Sequence, residues 1–263
     1  MPAWIAIAIL GIIEGITEFL PVSSTGHLLL AEHWLPQQSE LFNVVIQSGA
    51  VIAVIPLFHE RFRQFLFQWR ERAVQQYALK IFVAFFITGV GGLVLKKMGW
   101  KLPETAGPIA WALLVGGVAF LAIEAWLKNK PLRNEITWAM AVAVGFAQLV
   151  AAIFPGTSRS GACILIILML GVNRPLATEF AFIVGIPTML AAGGYEILKA
   201  LHHPLPGTPP ENWPMVALGF VVSAIVSFIT VKWLLRYVQS HTFKAFGWYR
   251  IALAAVVFAL LCR

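Results

Sequence analysis

The chain has 263 residues, 59% hydrophobic and 12% charged, with a formal net charge of +7. Soluble domains carry about 25% charged residues, so this composition excludes an ordinary soluble domain, and recurrent apolar runs point to a polytopic membrane protein. In such a chain a modest excess of lysine and arginine sets orientation and is no sign of nucleic-acid binding.

Ten apolar stretches follow in chain order: 4–20, 24–35, 41–58, 81–98, 109–127, 138–154, 161–171, 180–201, 215–235 and 251–262. Period-two alternation is absent, and backbone groups in lipid must be paired within their own segment, so all are expected to be helical. The first lacks a preceding basic region and reads as part of the membrane domain, not as a cleaved leader. It runs into the turn PVSST at 21–25, and the next stretch, 24–35, reaches only about 18 Å as a helix against a ~30 Å hydrocarbon core. The same succession returns at 138–154, the turn PGTSRSG at 155–161, and 161–171, which reaches about 17 Å. Proline stops the helix before it. Two re-entrant hairpins, 4–35 and 138–171, and six crossings are therefore predicted, with Phe246 to Tyr249 carrying the last short stretch to the interface.

Basic residues orient the crossings. Loop 59–80 has five (Arg61, Arg63, Arg70, Arg72, Lys80), loops 128–137 and 236–250 have three each, and loop 202–214 has none. That puts 202–214 outside and the others in the cytoplasm, with Lys96, Lys97 and Lys101 as a local exception. Three crossings separate the hairpins, so they enter from opposite faces, the first opening outward. They also resemble each other: at an offset of 134, Gly11 meets Gly145, Glu14 meets Gln148, Pro21 meets Pro155, and Ser23–Ser24 meet Thr157–Ser158. The predicted architecture is one all-α membrane domain over 1–263, an inverted-topology repeat of about 1–127 and about 138–263. Such folds place their site near the bilayer midplane, at the repeat interface.

A half-helix starting inside the membrane leaves its first N–H groups unpaired, and Ser23 or Ser24, and Ser158, are natural caps. Those donors and the positive end of the helix dipole favour an anion, so Ser23, Thr25, Gly26, Thr157, Ser158, Ser160 and Gly161 are candidates to cradle a doubly phosphorylated group. Arg159 matches phosphate oxygens bidentately. An ion pair of Arg159 with Glu14 or Glu18 is the plainer reading, but alone it would not need two serines and a glycine-flanked turn. Glu14 and Glu18, at i and i+4, share one helix face. Either they hold a divalent cation such as Mg²⁺, or one stays protonated and acts as an acid. His27 lies three residues from Ser24, so it can activate that hydroxyl, attack phosphorus itself, or serve as general acid or base on a water. The remaining polar residues take bland readings. His33, His59, His202, His203 and His241 are at ends or in loops, and Glu124, Glu179, Glu196 and Lys232 snorkel from segment ends. Gln47 and Gln148 add hydrogen bonds near the repeat axis. Cys163 and Cys262 are small buried hydrophobes, and the ten tryptophans form interfacial belts.

The stretches EGITEFLPVSSTGH (14–27) and PGTSRSG (155–161) closely resemble the two signature motifs of the bacterial undecaprenyl-diphosphate phosphatases of the bacitracin-resistance type, and the likeness runs the length of the chain. The resemblance implies a multi-pass enzyme of the bacterial inner membrane, acting mainly on the periplasmic side. It would hydrolyse undecaprenyl diphosphate to undecaprenyl phosphate and inorganic phosphate, recycling the carrier for peptidoglycan. It further implies a Mg²⁺ or Ca²⁺ requirement and places the family's glutamates on Glu14 and Glu18, its serine on Ser24, its histidine on His27 and its arginine on Arg159. Whether serine or histidine attacks is left open by it. The expected course is attack by Ser24, proton uptake by His27 and release of phosphate by water. The partners expected are the polyprenyl lipid and the bilayer, with a homodimer compatible with both. The competing class is a transporter or flippase for a polyprenyl phosphate, since broken helices in inverted repeats serve transport too.

Overall fold

A computed structural model describes residues 1–100, 105–202 and 211–262. Lys101, His203 and most of loop 202–214, the basis of the outside assignment, lie outside the described residues. Those described form α-helices joined by short turns, with no sheet strand among them. Two short helices, α1 (Ala3–Thr17) and α2 (Ser24–Ala31), open the chain. A continuous helical segment Glu40–Phe67 follows, made of α3 (Glu40–Val54), a 3-10 turn (Ile55–Phe58) and α4 (His59–Phe67). Then come α5 (Arg72–Lys97), α6 (Ala106–Trp126), the shorter α7 (Trp138–Ile153) and α8 (Arg159–Met169), α9 (Arg174–His202), α10 (Trp213–Ser240) and α11 (Lys244–Leu261). Six of these segments are long and apolar enough to cross a membrane, while α1, α7 and α8 are apolar but shorter. The chain is a multi-pass membrane protein.

Two stretches read as loops are helices. Residues 59–67 continue the third segment as α4, and α5 begins at Arg72, nine residues before the apolar run. Their charges hid them from a reading based on apolar runs, although alternating charged and aromatic residues suit a helix at a wet interface. Likewise α11 begins at Lys244, so Arg250, counted above as a loop cation, lies inside a helix and is fully buried. Glu124 does not snorkel. Its Oε1 accepts from Arg174 Nε and from the Phe243 N–H, both at 2.8 Å, which ties the start of α11 to α6 and α9. Glu179 is held by Arg61 at 2.5 Å. Cys163 is buried as expected but Cys262 is exposed, and both are free. All ten tryptophans are exposed on the outside of the bundle.

With lipid outside, helices gain little by hiding apolar surface and associate through close packing and polar contacts. Helix α1 packs on α10, which also packs on α3; α7 packs on α5, which also packs on α9; α6 packs on α11, and α3 on α9. The α6–α11 seam is close and reciprocal: a Cβ on Gly117 would lie 2.8 Å from the Gly247 carbonyl and one on Gly247 3.0 Å from the Gly117 carbonyl. A larger residue at Gly117 would clash with the α11 backbone, and one at Gly247 would force its neighbours apart, so the two glycines set the register of α11 on α6. Around the first turn, Phe19, Leu20 and Val22 join a buried cluster with Met140, Val144, Ile164 and Phe180 from the other half of the chain. Phe19 meets Phe182 edge to face at 5.0 Å. The first proline turn thus shares a core with α7, α8 and α9 of the second half.

Candidate active site

Each turn delivers a serine in a backbone conformation that L-residues rarely adopt. Ser23 (φ 72°) caps α2 by accepting from the Gly26 N–H at 3.3 Å. Ser158 (φ 67°) caps α8 by accepting from the Gly161 N–H at 3.2 Å. The cap is therefore Ser23, not Ser24, and its partner is Ser158. The uniform offset of 134, which paired Ser23 with Thr157, slips by one residue because the second turn is one residue longer between proline and cap. A non-glycine residue held there costs about 1–3 kcal/mol and persists only where its surroundings over-determine it. The N–H groups of Ser24 and Thr25, and of Arg159 and Ser160, meet no acceptor among the described residues, as expected of a helix's first turn.

Glu18 joins the two turns. Its Oε2 accepts from Ser24 Oγ at 2.7 Å and its Oε1 from Arg159 Nη2 at 3.1 Å. The ion pair considered from sequence thus exists, with Glu18 and not Glu14, inside a larger set. Arg159 lies against Gly185 of α9, where a Cβ would fall 1.9 Å from Nη1. A second link runs from Ser160 Oγ to the Leu20 carbonyl at 3.2 Å, with Ser158 Oγ 3.1 Å from Ser160 Oγ. Glu14 is fully buried one turn before Glu18, and neither of its carboxylate oxygens has a hydrogen-bond partner. Its counterpart Gln148 instead donates to Thr88 Oγ1 at 2.9 Å, so the hydrogen bond anticipated for Gln148 is present. Gln47 is half-buried.

Ser24 and His27 are not hydrogen-bonded to each other. The imidazole Nδ1 lies 2.7 Å from the Ser23 carbonyl and Nε2 lies 2.7 Å from Tyr249 Oη, with the two rings stacked. The Ser24 hydroxyl points to Glu18 instead. Spacing three residues apart puts both on one face, but it does not say which neighbour each finds. Of the candidate cradle, Ser23, Ser158 and Ser160 have hydroxyls taken up by the turns, Thr25 is exposed, Thr157 is half-buried, and Gly26 and Gly161 are buried.

Sequence reasoning missed two neighbours, Tyr249 and Arg250 on α11. The Arg250 guanidinium donates from Nη1 to the Pro21 carbonyl at 3.2 Å and from Nη2 to the Gly156 carbonyl at 3.1 Å, one from each turn. It also reaches the α6 carbonyls of Ala112 and Leu113, at 3.0 and 3.3 Å. Neither residue is near the motifs in the chain, so only tertiary structure reveals them.

A family profile described as Bacitracin resistance protein BacA matches residues 7–256. Curated relatives agree over nearly the whole chain. An undecaprenyl-diphosphatase of Rhizobium etli is 52% identical over 258 residues, covering 98% of this chain and 97% of its own. One of Rhizobium johnstonii is 51% identical with the same coverage. One of Xanthomonas euvesicatoria is 49% identical over 254 residues, covering 96% of this chain and 95% of its own.

Proposed function

The chain belongs to the bacitracin resistance protein BacA family, and from that premise we propose that it hydrolyses undecaprenyl diphosphate to undecaprenyl phosphate and inorganic phosphate. This recycles the lipid carrier of peptidoglycan synthesis and underlies resistance to bacitracin. The observation that carries the reading is Glu18 accepting at once from Ser24 on one turn and Arg159 on the other. A hydroxyl with a carboxylate acceptor, beside a guanidinium and unpaired helix N–H groups, is what phosphoryl transfer to a side chain asks for. A translocator has no need of a serine poised on a carboxylate.

In this reading the diphosphate lies between the N-termini of α2 and α8, its charge met by Arg159 and by the free N–H groups of both helices. Ser24 Oγ passes its proton along its bond to Glu18 and attacks the terminal phosphorus. The new O–P bond forms as the bond to the bridging oxygen breaks, and undecaprenyl phosphate leaves with the electron pair. Water then attacks the phosphoserine and gives its proton through Tyr249 Oη to His27 Nε2, the ring being held by its Nδ1–H on the Ser23 carbonyl, while Glu18 returns the first proton to Ser24 Oγ as the O–P bond breaks. The metal implied by the resemblance fits the residues present, since two buried carboxylate oxygens of Glu14 lack partners and hard divalent cations seek such donors. Glu14 and Glu18 would hold it. Bound there, it would supply positive charge against the phosphate oxygens.

The helix pairing supports an inverted repeat. Exchanging α1 with α7, α5 with α10 and α6 with α11, and α3 with α9, turns the α1–α10 and α3–α10 contacts into α7–α5 and α9–α5, and maps α6–α11 and α3–α9 onto themselves. Together with the matched Ser23 and Ser158 caps, this favours two re-entrant hairpins, 4–35 and 138–171, entering from opposite faces. The distribution of basic residues supports an orientation with the first hairpin open to the periplasm, in the inner membrane that the family resemblance implies. The test is phosphate release from a polyprenyl diphosphate by detergent-purified protein, with and without chelator. Release that stops on chelation and returns with Mg²⁺ or Ca²⁺ is expected. No release under any metal condition favours transport.

A further inference from the structure

Arg250 is fully exposed to neither water nor lipid, with 0% of its surface accessible, yet no carboxylate pairs with it among the described residues. An arginine stays charged in a protein, and a buried charge without a partner is costly. Its solvation comes from four main-chain carbonyls: Pro21, Gly156, Ala112 and Leu113. Two belong to the proline turns and two to one turn of α6. The residue is also walled in. A Cβ on Gly116 would lie 2.3 Å from Nη2, and one on Gly161, in the first turn of α8, would lie 3.5 Å from Nη1. Only glycine at 116 leaves room for this guanidinium.

We infer that Arg250 is the positioning residue that sets the distance between the two serine-capped turns, so that one diphosphate meets both helix ends together. Its four donated bonds diverge from a rigid plane, which fixes the carbonyls relative to one another as well as to α6. The α6–α11 glycine seam and the Glu124 anchor at Phe243 hold the clamp itself in register. Its uncompensated charge lies behind the cradle, and the diphosphate is the anion that answers it. The inference rests on the phosphatase reading and adds the device that makes its two halves act as one site.

The test compares steady-state phosphate release by the purified parent, Arg250→Lys and Arg250→Met, each scaled to folded protein by elution profile and melting curve. Arg250→Lys keeps the charge but gathers its donors on one atom. Its kcat should fall about a hundredfold, as an ångström-scale misplacement produces, with KM within about threefold of the parent. Arg250→Met should show the same fall in kcat and a KM raised about tenfold, because the charge is gone as well. A merely stabilising arginine would lower yield and melting temperature while leaving kcat per folded molecule unchanged, and that result overturns the inference. If neither variant survives purification, Gly116→Ala decides, since its methyl group pushes the guanidinium tip off its carbonyls without deleting it. A kcat lowered about tenfold is then expected, and a parental kcat overturns the proposal. A parent that releases no phosphate removes the phosphatase reading itself, whereas an active parent with equally active variants removes only the role of Arg250.

Discussion

Residues 21–27 and 155–161 place a left-handed serine at the head of a short helix, each accepting from the N–H three residues on, at 3.3 and 3.2 Å. What they put around that shared frame differs. The first turn brings Ser24 and His27, and the helix before it brings Glu14 and Glu18. The second brings Arg159, and the helix before it carries Gln148, a neutral amide whose Nε2 donates to Thr88. In the proposed mechanism the first turn holds the groups that make and break bonds, and the second holds the counter-charge. On that mechanism both turns keep the strained serine because both aim N–H groups at the same anion, and only one needs a nucleophile.

The largest expected effect breaks the chemical half. Ser24→Ala should reduce turnover by about 10⁴-fold or more, as loss of a nucleophile does, while a non-hydrolysable diphosphate still binds. Turnover near the parent's would move the attack to His27 or water. Next, Arg159→Lys should cost about 10²-fold in kcat/KM because the planar fork is lost while the charge stays. Parental kinetics there would mean that the second turn contributes charge alone. Glu14→Gln makes the first helix resemble the second, and the metal concentration for half-maximal activity should rise at least about tenfold. An unchanged metal titration would exclude Glu14 as a ligand. The smallest effects concern the frame. Ser23→Ala and Ser158→Ala should each lower stability by about 1 kcal/mol, read as similar shifts in melting temperature. A shift in only one of them would show that the caps are not equivalent.

The parts legible in the sequence are those encoded locally. Apolar runs located all six helices among the described residues that are long and apolar enough to cross a membrane, and Pro21 and Pro155 located the breaks, because hydrophobicity and a missing N–H act on the residues that carry them. Glu14, Glu18, Ser24 and Arg159 stood out because charge and hydroxyl in an apolar run demand partners. The helical course of 59–67 was hidden by its charges. Arg250 was hidden more deeply, since an arginine near a segment end looks like an orienting cation until the fold sets it between two turns. Tyr249 is 222 residues from His27, and no local pattern announces such a pairing. The choice of Ser24 for Glu18 rather than His27 depends on the rotation of α2 about its axis, which spacing cannot specify.

The C-terminal position of α11 has a genetic consequence. Both signature motifs are complete by residue 161, so a truncated gene product would carry every residue proposed above to meet the phosphates. It would nevertheless lack the tyrosine behind His27 and the guanidinium between the turns. A stop codon that removes only the last helix should therefore silence the gene as thoroughly as a lesion in either motif, and such alleles should fail to complement a strain lacking this activity.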